Sequence, residues 1–462
     1  MATKGFSHIP KLVNKVSTKY RTIKTLIPVP ESVKLLNRVY EIESSSMHGQ
    51  MPIIWDRAED CQVYDQWGNK WLDFSSTIFV ANAGHSNKRI LRALKNVLSK
   101  PLLHTYTYTS PERINYLDYL IKNTPSNFEK AFLLSAGTES TEAVLKLMRL
   151  NGIAEGKKRG GVICFEGNWH GRTMGAQMMG WNASQKEWIG YLDPNIHHLP
   201  FPYPWNQSSV SNPQEFFRKS LTQLCEEKGL DPKNDICGIM METFQGWGAV
   251  FYPPEFVQEI EKFSRENNIL LAFDEMQAGF GRTGKLFGYM HYGVTPDLIA
   301  CGKGSSSSLP LSIVLGSKKI MDLPGTGSMS STHSANPMVC AAGLANMQAI
   351  LEDGLIDNSK TLGEYFHIKL NEIKNKYENY ISHVNGKGLL AAVIFSKDSL
   401  PLSDLCDLIS EKCMQKGLIV VHTGRESIKL APSLTITKPA LIEGIEVFEE
   451  SIKESIIEMY NN

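Results

Sequence analysis

Between residues 130 and 316 the chain alternates two kinds of segment, and this alternation limits its possible folds more than any other feature. Short apolar runs occupy 131–134, 162–165, 239–241, 269–273, 298–301 and 313–316. Helical stretches stand between several of them, at about 139–150, 213–227 and 254–267. Short apolar runs bounded by Gly-rich sequence read as buried strands. Strands alternating with helices imply a mostly parallel sheet covered on both faces.

The run 269–273 ends on an acidic pair, Asp274-Glu275, followed by Met276-Gln277-Ala278-Gly279-Phe280-Gly281-Arg282-Thr283-Gly284. The run 298–301 leads into Gly302-Lys303-Gly304. An Asp at the carboxyl end of such a strand faces the crevice where open α/β sheets bind ligands. A Lys between two glycines, after an apolar run, sits in poorly solvated surroundings. Its amine then loses the proton more easily and attacks carbonyls. A buried Asp and a reactive Lys are the two protein groups that pyridoxal phosphate needs. The Lys forms the Schiff base, and the carboxylate keeps the pyridine nitrogen protonated.

Taken together, 269–310 resembles the cofactor segment of the class III (subgroup II) aminotransferases. It matches their Asp-Glu-x-Gln-x-Gly-x-Gly-Arg-Thr-Gly run and, after Pro296-Asp297, their Lys-Gly. The separation of 303 − 274 = 29 residues fits the family as well. The resemblance implies an α/β fold of the fold-type I pyridoxal-phosphate transferases. That fold has a large domain around a mostly parallel sheet of the seven-stranded type, with a small α+β domain built from the two chain ends. The boundaries expected are 1–85 for the N-terminal arm and part of the small domain, 86–345 for the large domain and 346–462 for the C-terminal small domain.

Composition narrows the partners. The 462 residues are 42% hydrophobic and 21% charged, as in soluble globular chains of two or three domains. Lys+Arg and Asp+Glu both number 48, so no bulk field draws nucleic acid or an anionic membrane. No apolar stretch is long enough to cross a bilayer. The eight cysteines form no Cys-x-x-Cys and several sit in apolar runs, which argues for reduced thiols in a cytoplasmic enzyme with no metal centre. Lys4, Lys11, Lys15, Lys19, Arg21 and Lys24 precede the first acid, Glu31. This basic start is read as an arm packing on the body or on a partner subunit, in preference to a targeting presequence.

Outside the alternating region, 31–43 reads as a helix and 63–74 as a hairpin turning at Trp67-Gly68-Asn69. Ala83-Gly84-His85 precedes a helix at about 88–99, with His85 in a structural role. A helix is expected from 337 to about 351, then strands near 389–395 and 418–421 and terminal helices.

The remaining motifs fall in the family's order. Ser135-Ala136-Gly137-Thr138-Glu139-Ser140 follows a strand and opens a helix. On its own it reads as a Thr-capped helix. It also resembles the family's Ser-Gly-Thr-Glu-Ala phosphate loop, in which Gly137 admits close approach and Thr138 adds a hydroxyl at a helix N-terminus. Phe165-Glu166-Gly167-Asn168-Trp169-His170-Gly171-Arg172-Thr173 resembles the Tyr-His-Gly-Arg-Thr segment, with Trp169 in place of the residue that stacks on the pyridine ring. The resemblance sets His170 beside it, places Met276 on the other ring face and Gln277 at the phenolic oxygen. Ser331-Thr332-His333-Ser334-Ala335-Asn336-Pro337 resembles Thr-x-x-Gly-Asn-Pro. There the threonine, here Thr332, reaches the neighbouring subunit's phosphate, which implies at least a homodimer with shared sites, or a higher oligomer.

Two departures fall on the substrate side. Glu242 and Gln245 match Glu-Pro-x-Gln-Gly-Glu-Gly, but Trp247 takes the second Glu position. In the family's ω-amino-acid members that Glu pairs with a C-terminal Arg, and here Lys429 stands in its place, with Arg425 nearby. Lysine holds a carboxylate as a point charge and not as a fork. Trp247 is read as an apolar wall, pointing to a substrate with a less polar arm. His104-Thr105-Tyr106-Thr107-Tyr108-Thr109-Ser110 either lines the entrance from the partner subunit or is an ordinary strand or surface loop. Ser305-Ser306-Ser307-Ser308 replaces the family's glycines and is read as a reshaped, poorly ordered loop.

The function implied is an aminotransferase that moves an amino group from an amino acid or amine to an aldehyde or ketone through Lys303 and Asp274. The alternative is another outcome on the same site: racemase or epimerase, aminomutase, decarboxylase or phospholyase.

Overall fold

The computed structural model describes residues 6–398 and 400–460; Lys4 of the basic arm lies outside them. The chain divides into two compact units. One comprises residues 88–246 and 250–356, the other residues 1–87, 247–249 and 357–462.

The first unit is built on a seven-stranded sheet. Its strands in chain order are β1 (Lys130–Leu134), β2 (Gly161–Phe165), β3 (Ile196–Leu199), β4 (Ile236–Glu242), β5 (Leu270–Asp274), β6 (Leu298–Cys301) and β7 (Ser312–Gly316). The spatial order is β1-β7-β6-β5-β4-β2-β3. The pairs β6·β5, β5·β4, β4·β2 and β2·β3 are parallel, while β7 runs antiparallel to both neighbours. Strands β2, β4, β5, β6 and β7 are buried along their whole length, as continuous apolar runs covered on both faces should be. Helix α1 (Gly137–Ala154) packs Val144, Leu147 and Met148 on one face of the sheet, with Val162, Cys164, Met240, Ala272 and Ala300. Further helices are α2 (Pro213–Lys228), α3 (Pro254–Glu266) and α4 (Pro337–Glu352). The boundary expected at 345 falls inside α4; the division of the chain comes instead after Ile356. Strand β3 has no counterpart among the expected runs, because its Ile-His-His-Leu sequence pairs on one side only, at the sheet edge.

In the second unit, Lys70–Asp73 pairs with Gln62–Tyr64 as the expected hairpin, and with Leu418–Ile419 in parallel. The basic arm folds back as a small hairpin, Val16–Ser17 with Thr22–Ile23, and Thr22 pairs with Lys70. Its Lys11 and Arg21 reach Glu411 and Glu443 at 2.6 and 2.7 Å. The arm thus packs on its own unit around a core of Ile23, Ile27, Val63, Trp71 and Met414. His85 meets Asp73 at 2.7 Å, a pairing that joins two segments of this unit. All eight cysteines are free thiols. Among the described residues no helix is long and apolar enough to cross a membrane, and no group of three or more His, Cys, Asp or Glu could hold a metal.

Candidate active site

The parallel strands deliver their reactive residues to one edge of the sheet, the carboxyl ends where such sheets bind ligands. Glu242 closes β4, Asp274 closes β5, and Lys303 follows β6 by two residues. Asp274 is 5% exposed. Its Oδ2 lies 2.9 Å from His170 Nδ1, and its Oδ1 accepts from Met276 N–H at 3.0 Å. Glu242 is equally buried and accepts from Trp169 N–H at 3.0 Å and Gly246 N–H at 3.4 Å.

Lys303 opens a single 3-10 turn, Lys303–Ser305. Its side chain keeps some exposure, yet the dense surroundings make desolvation the leading influence on the amine. Desolvation lowers the amine below the ordinary lysine range, against the opposing pull of Asp274 and Glu242. Beside it, the acidic neighbour of Asp274 plays a different part. Glu275 is buried among Thr243 Oγ1, Gly288 N–H and Tyr289 N–H, and burial pushes its carboxyl up to about 7.

The serine loop corrects the expectation of disorder. Ser305, Ser306 and Ser307 are buried, and each hydroxyl has an acceptor: Leu311 O at 2.6 Å, Leu309 O, and Asn346 Oδ1 at 2.5 Å. Ser307 does adopt a positive φ of 54°. Asn346 on α4 also donates through Nδ2 to Gly304 O and Ser305 O, both at 2.9 Å. The side chain of Asn346 therefore clasps the turn that carries Lys303. A polar residue on the buried face of an apolar helix was the signal for it in the sequence.

At the start of α1 the cap is Ala136, so the Thr-capped reading does not hold. Glu139 Oε2 accepts from Ser135 N–H at 2.8 Å and Ala136 N–H at 2.9 Å. The N–H groups of Gly137 and Thr138, in the first helical turn, point along the axis with the positive dipole end. Thr138 Oγ1 meets Thr173 Oγ1 at 2.6 Å, bringing the 165–173 segment over the helix start. Gly137 and Gly302 are close-approach glycines: a Cβ on either would lie 2.8 and 2.5 Å from Met276 Sδ. Trp169 is 37% exposed, with the Arg172 guanidinium 4.8 Å from its ring. Gln277 lies beside Gly246 and Glu242.

Thr332 is exposed on its loop. The stretch from His104 to Ser110 forms no strand; Thr105 and Ser110 are buried and the rest exposed, and His104 Nε2 lies 3.0 Å from Thr332 O. The remaining residues expected on the substrate side lie in the other unit. There the Arg425 guanidinium stands 3.8 Å from the Trp247 ring centre and 3.0 Å from Glu426. Trp247 thus offers a guanidinium-covered face where an apolar wall was expected. Ser427 Oγ donates to Trp247 O at 2.8 Å. Lys429 is 5% exposed, with its ammonium 4.4 Å from the Phe79 ring.

This chemistry fits pyridoxal phosphate. Asp274 is a buried carboxylate whose hydrogen bonds here come from a histidine and a main-chain amide, which suits it to hold a proton on a pyridine nitrogen. The fold is that of the fold-type I pyridoxal-phosphate transferases.

Comparisons with known proteins agree. The family described as Aminotransferase class-III matches residues 44–452. The alanine/serine racemase of Pyrococcus horikoshii is 29% identical over 98% of this chain and 96% of its own. The acetylornithine aminotransferase of Archaeoglobus fulgidus is 30% identical over 86% of this chain and 94% of its own. Among solved structures, the (S)-enantioselective omega-transaminase of Thermomicrobium roseum superposes with a TM-score of 0.83 at 26% identity, covering 92% of this chain and 98% of that one. The chain belongs to the class III aminotransferases, and with the family come its cofactor, pyridoxal phosphate, and its reaction, transamination.

Proposed function

We propose that Lys303 carries the cofactor and moves the proton of the reaction, with Asp274 as the charge that tunes the ring. One observation carries this reading: a lysine amine made less basic by burial stands within the field of a buried carboxylate, both at the carboxyl edge of one sheet. Bound there, pyridoxal phosphate supplies an aldehyde that condenses with amines and a protonated ring that accepts electrons.

The other residues orient and enclose. Gly137 and Thr138 offer main-chain N–H groups to the phosphate, and Thr332 of a second copy completes that cradle, which makes the enzyme a homodimer. The 104–110 stretch beside Thr332 then belongs to the subunit boundary. Trp169 offers a flat face to the ring, with Met276 opposite and His170 behind Asp274. Gln277 donates to the phenolic oxygen, and Glu242 fixes the Trp169 main chain. Lys303 Nζ would take the proton from the carbon bearing the amine and return it to the carbon on the far side of that nitrogen, two bonds away. The two units act as a cofactor domain and a small domain. Arg425 and Lys429 are the cations for a substrate carboxylate, with Trp247 beside Arg425. The protein works in the cytoplasm on small amines and carbonyl compounds.

The reading is tested by the visible spectrum of the purified protein before and after a panel of amines: glutamate, alanine, ornithine, 4-aminobutyrate and simple diamines. A visible band lost with one donor and restored by a keto acid supports it and names the donor. A Lys303→Ala protein that still turns over would sink it.

A second reading has an observation in its favour. The relative named alanine/serine racemase matches 98% of this chain, whereas the acetylornithine aminotransferase above matches 86%. A racemase uses the same lysine but returns the proton to the carbon it left. Incubation with L-alanine or L-serine separates the two: D-enantiomer without keto acid favours racemisation.

A further inference from the structure

Behind Asp274 lies a second polar contact that the reaction as described does not use. His170 is 3% exposed and has two neighbours, Asp274 Oδ2 at 2.9 Å from Nδ1 and Asn168 Nδ2 at 3.2 Å from Nε2. Asn168 is itself 3% exposed, and its Oδ1 is buried with no hydrogen-bond partner among the described residues.

The protons follow from these contacts. A carboxylate only accepts, so Nδ1 must carry the hydrogen that Asp274 receives. A neutral imidazole then has a bare lone pair at Nε2, which attracts an amide N–H and repels an amide oxygen. The orientation with Nδ2 inward and Oδ1 left over is the one a neutral ring selects. The alternative orientation, Oδ1 inward, requires a hydrogen on both ring nitrogens. Asn168 is therefore the group that distinguishes the two proton arrangements of His170. A serine or glycine at 168 is too short to reach, and an aspartate would reverse the polarity.

The backbone fixes Asn168 for this task. Gly167 turns the chain with a φ of 79°. Asn168 N–H donates to Phe165 O at 3.2 Å, and its carbonyl accepts from Trp181 N–H at 3.1 Å. The next residue, Trp169, is held by Glu242. The side chain is thus aimed from a pinned turn.

We propose that Asn168 is a positioning residue: it donates to His170 Nε2, keeps that nitrogen bare, and so holds the ring with its one hydrogen on Nδ1, directed at Asp274. The consequence for the cofactor's ring rests on the functional reading above; the tautomer itself does not.

The test is nitrogen NMR of holoenzyme carrying 15N-histidine, with the His170 signals assigned by their absence from His170→Gln. In the parent at pH 8, Nδ1 should appear protonated and Nε2 bare. In the near-isosteric Asn168→Asp both nitrogens should appear protonated. Asn168→Ala should keep Nδ1 protonated, through Asp274, but let part of the rings take a second proton at Nε2, and should raise the cofactor dissociation constant about tenfold, as loss of a group behind a primary ligand contact does. A purely structural role moves stability but not the tautomer. A parent with Nε2 protonated, or His170 signals that are the same in the parent and in both variants, would overturn the proposal. Absence of a cofactor band in the parent would instead count against the functional reading, while the tautomer is still read on the same sample.

Discussion

Glu242 and Asp274 are direct register partners across the parallel strands β4 and β5, so two buried carboxylates end side by side. Their hydrogen bonds separate them: Asp274 receives a ring N–H of His170, Glu242 the main-chain N–H of Trp169. Replacing each with its amide should therefore give unequal losses. Asp274→Asn should lower kcat by about 10²–10³-fold, the cost of removing a preorganised charge. Glu242→Gln keeps an acceptor for Trp169 and should cost about tenfold or less, the difference between a charged and a neutral acceptor. Single-turnover rates of the two variants check this, and equal losses would contradict it.

Gly137 is a residue where two effects oppose. Gly→Ala in a helix ordinarily gains up to about 1 kcal/mol. Here the new Cβ would lie 2.8 Å from Met276 Sδ, which must shift to make room within a packed site. Overpacking of this kind costs about 1–3 kcal/mol, so Gly137→Ala should lower Tm. Adding Met276→Ala should relieve the crowding and restore part of the loss. Thermal melts of the single and double variants measure it.

Glu275 makes stability depend on pH. Its carboxyl is raised from 4.5 to about 7 in the fold, so between those values the folded state holds a proton that the unfolded chain has released. The contribution is complete below pH 4.5 and is lost as pH rises through 7, an effect of about 3 kcal/mol for a shift of this size. Glu275→Gln should flatten this part of the curve. Urea midpoints from pH 4.5 to 8 for both proteins test the sign; parallel curves would refute it.

Asn346 clasps three groups of the Lys303 turn from a helix 43 residues further along (346 − 303 = 43). Asn346→Ala leaves buried carbonyls without donors, at about 1–3 kcal/mol for each orphaned group. The variant should melt earlier and lose bound cofactor on gel filtration, read as visible absorbance per mole of protein. Full retention of cofactor at an unchanged Tm would show that the clasp is idle.

Much of the sheet was readable in the sequence, because buried parallel strands are apolar runs and their ends are marked by polar residues such as Asp274. Strand β3 was not, since an edge strand with His197 and His198 lacks that signature. The serine loop was misjudged for a related reason. Composition reports that Ser305 to Ser308 can be mobile, but not that Leu311, Leu309 and Asn346 supply acceptors. Nothing in the sequence singled out Asn168, because its proposed role depends on a ring brought beside it by the fold. Trp247 was read as an apolar wall from its position in the motif, while the guanidinium over its ring comes from 178 residues away (425 − 247 = 178).

Asp274 and Glu275 are consecutive, yet one partners His170 and the other Thr243, Gly288 and Tyr289. Successive side chains on an extended strand leave by opposite faces, so a slip of one residue would exchange them. The arithmetic of β5 is consequently stricter than its spelling. Apolar side chains can trade places along 269–273 in the course of descent, but a single codon gained or lost there would set Glu275 before His170 and hand Asp274 to the donors of Thr243, Gly288 and Tyr289.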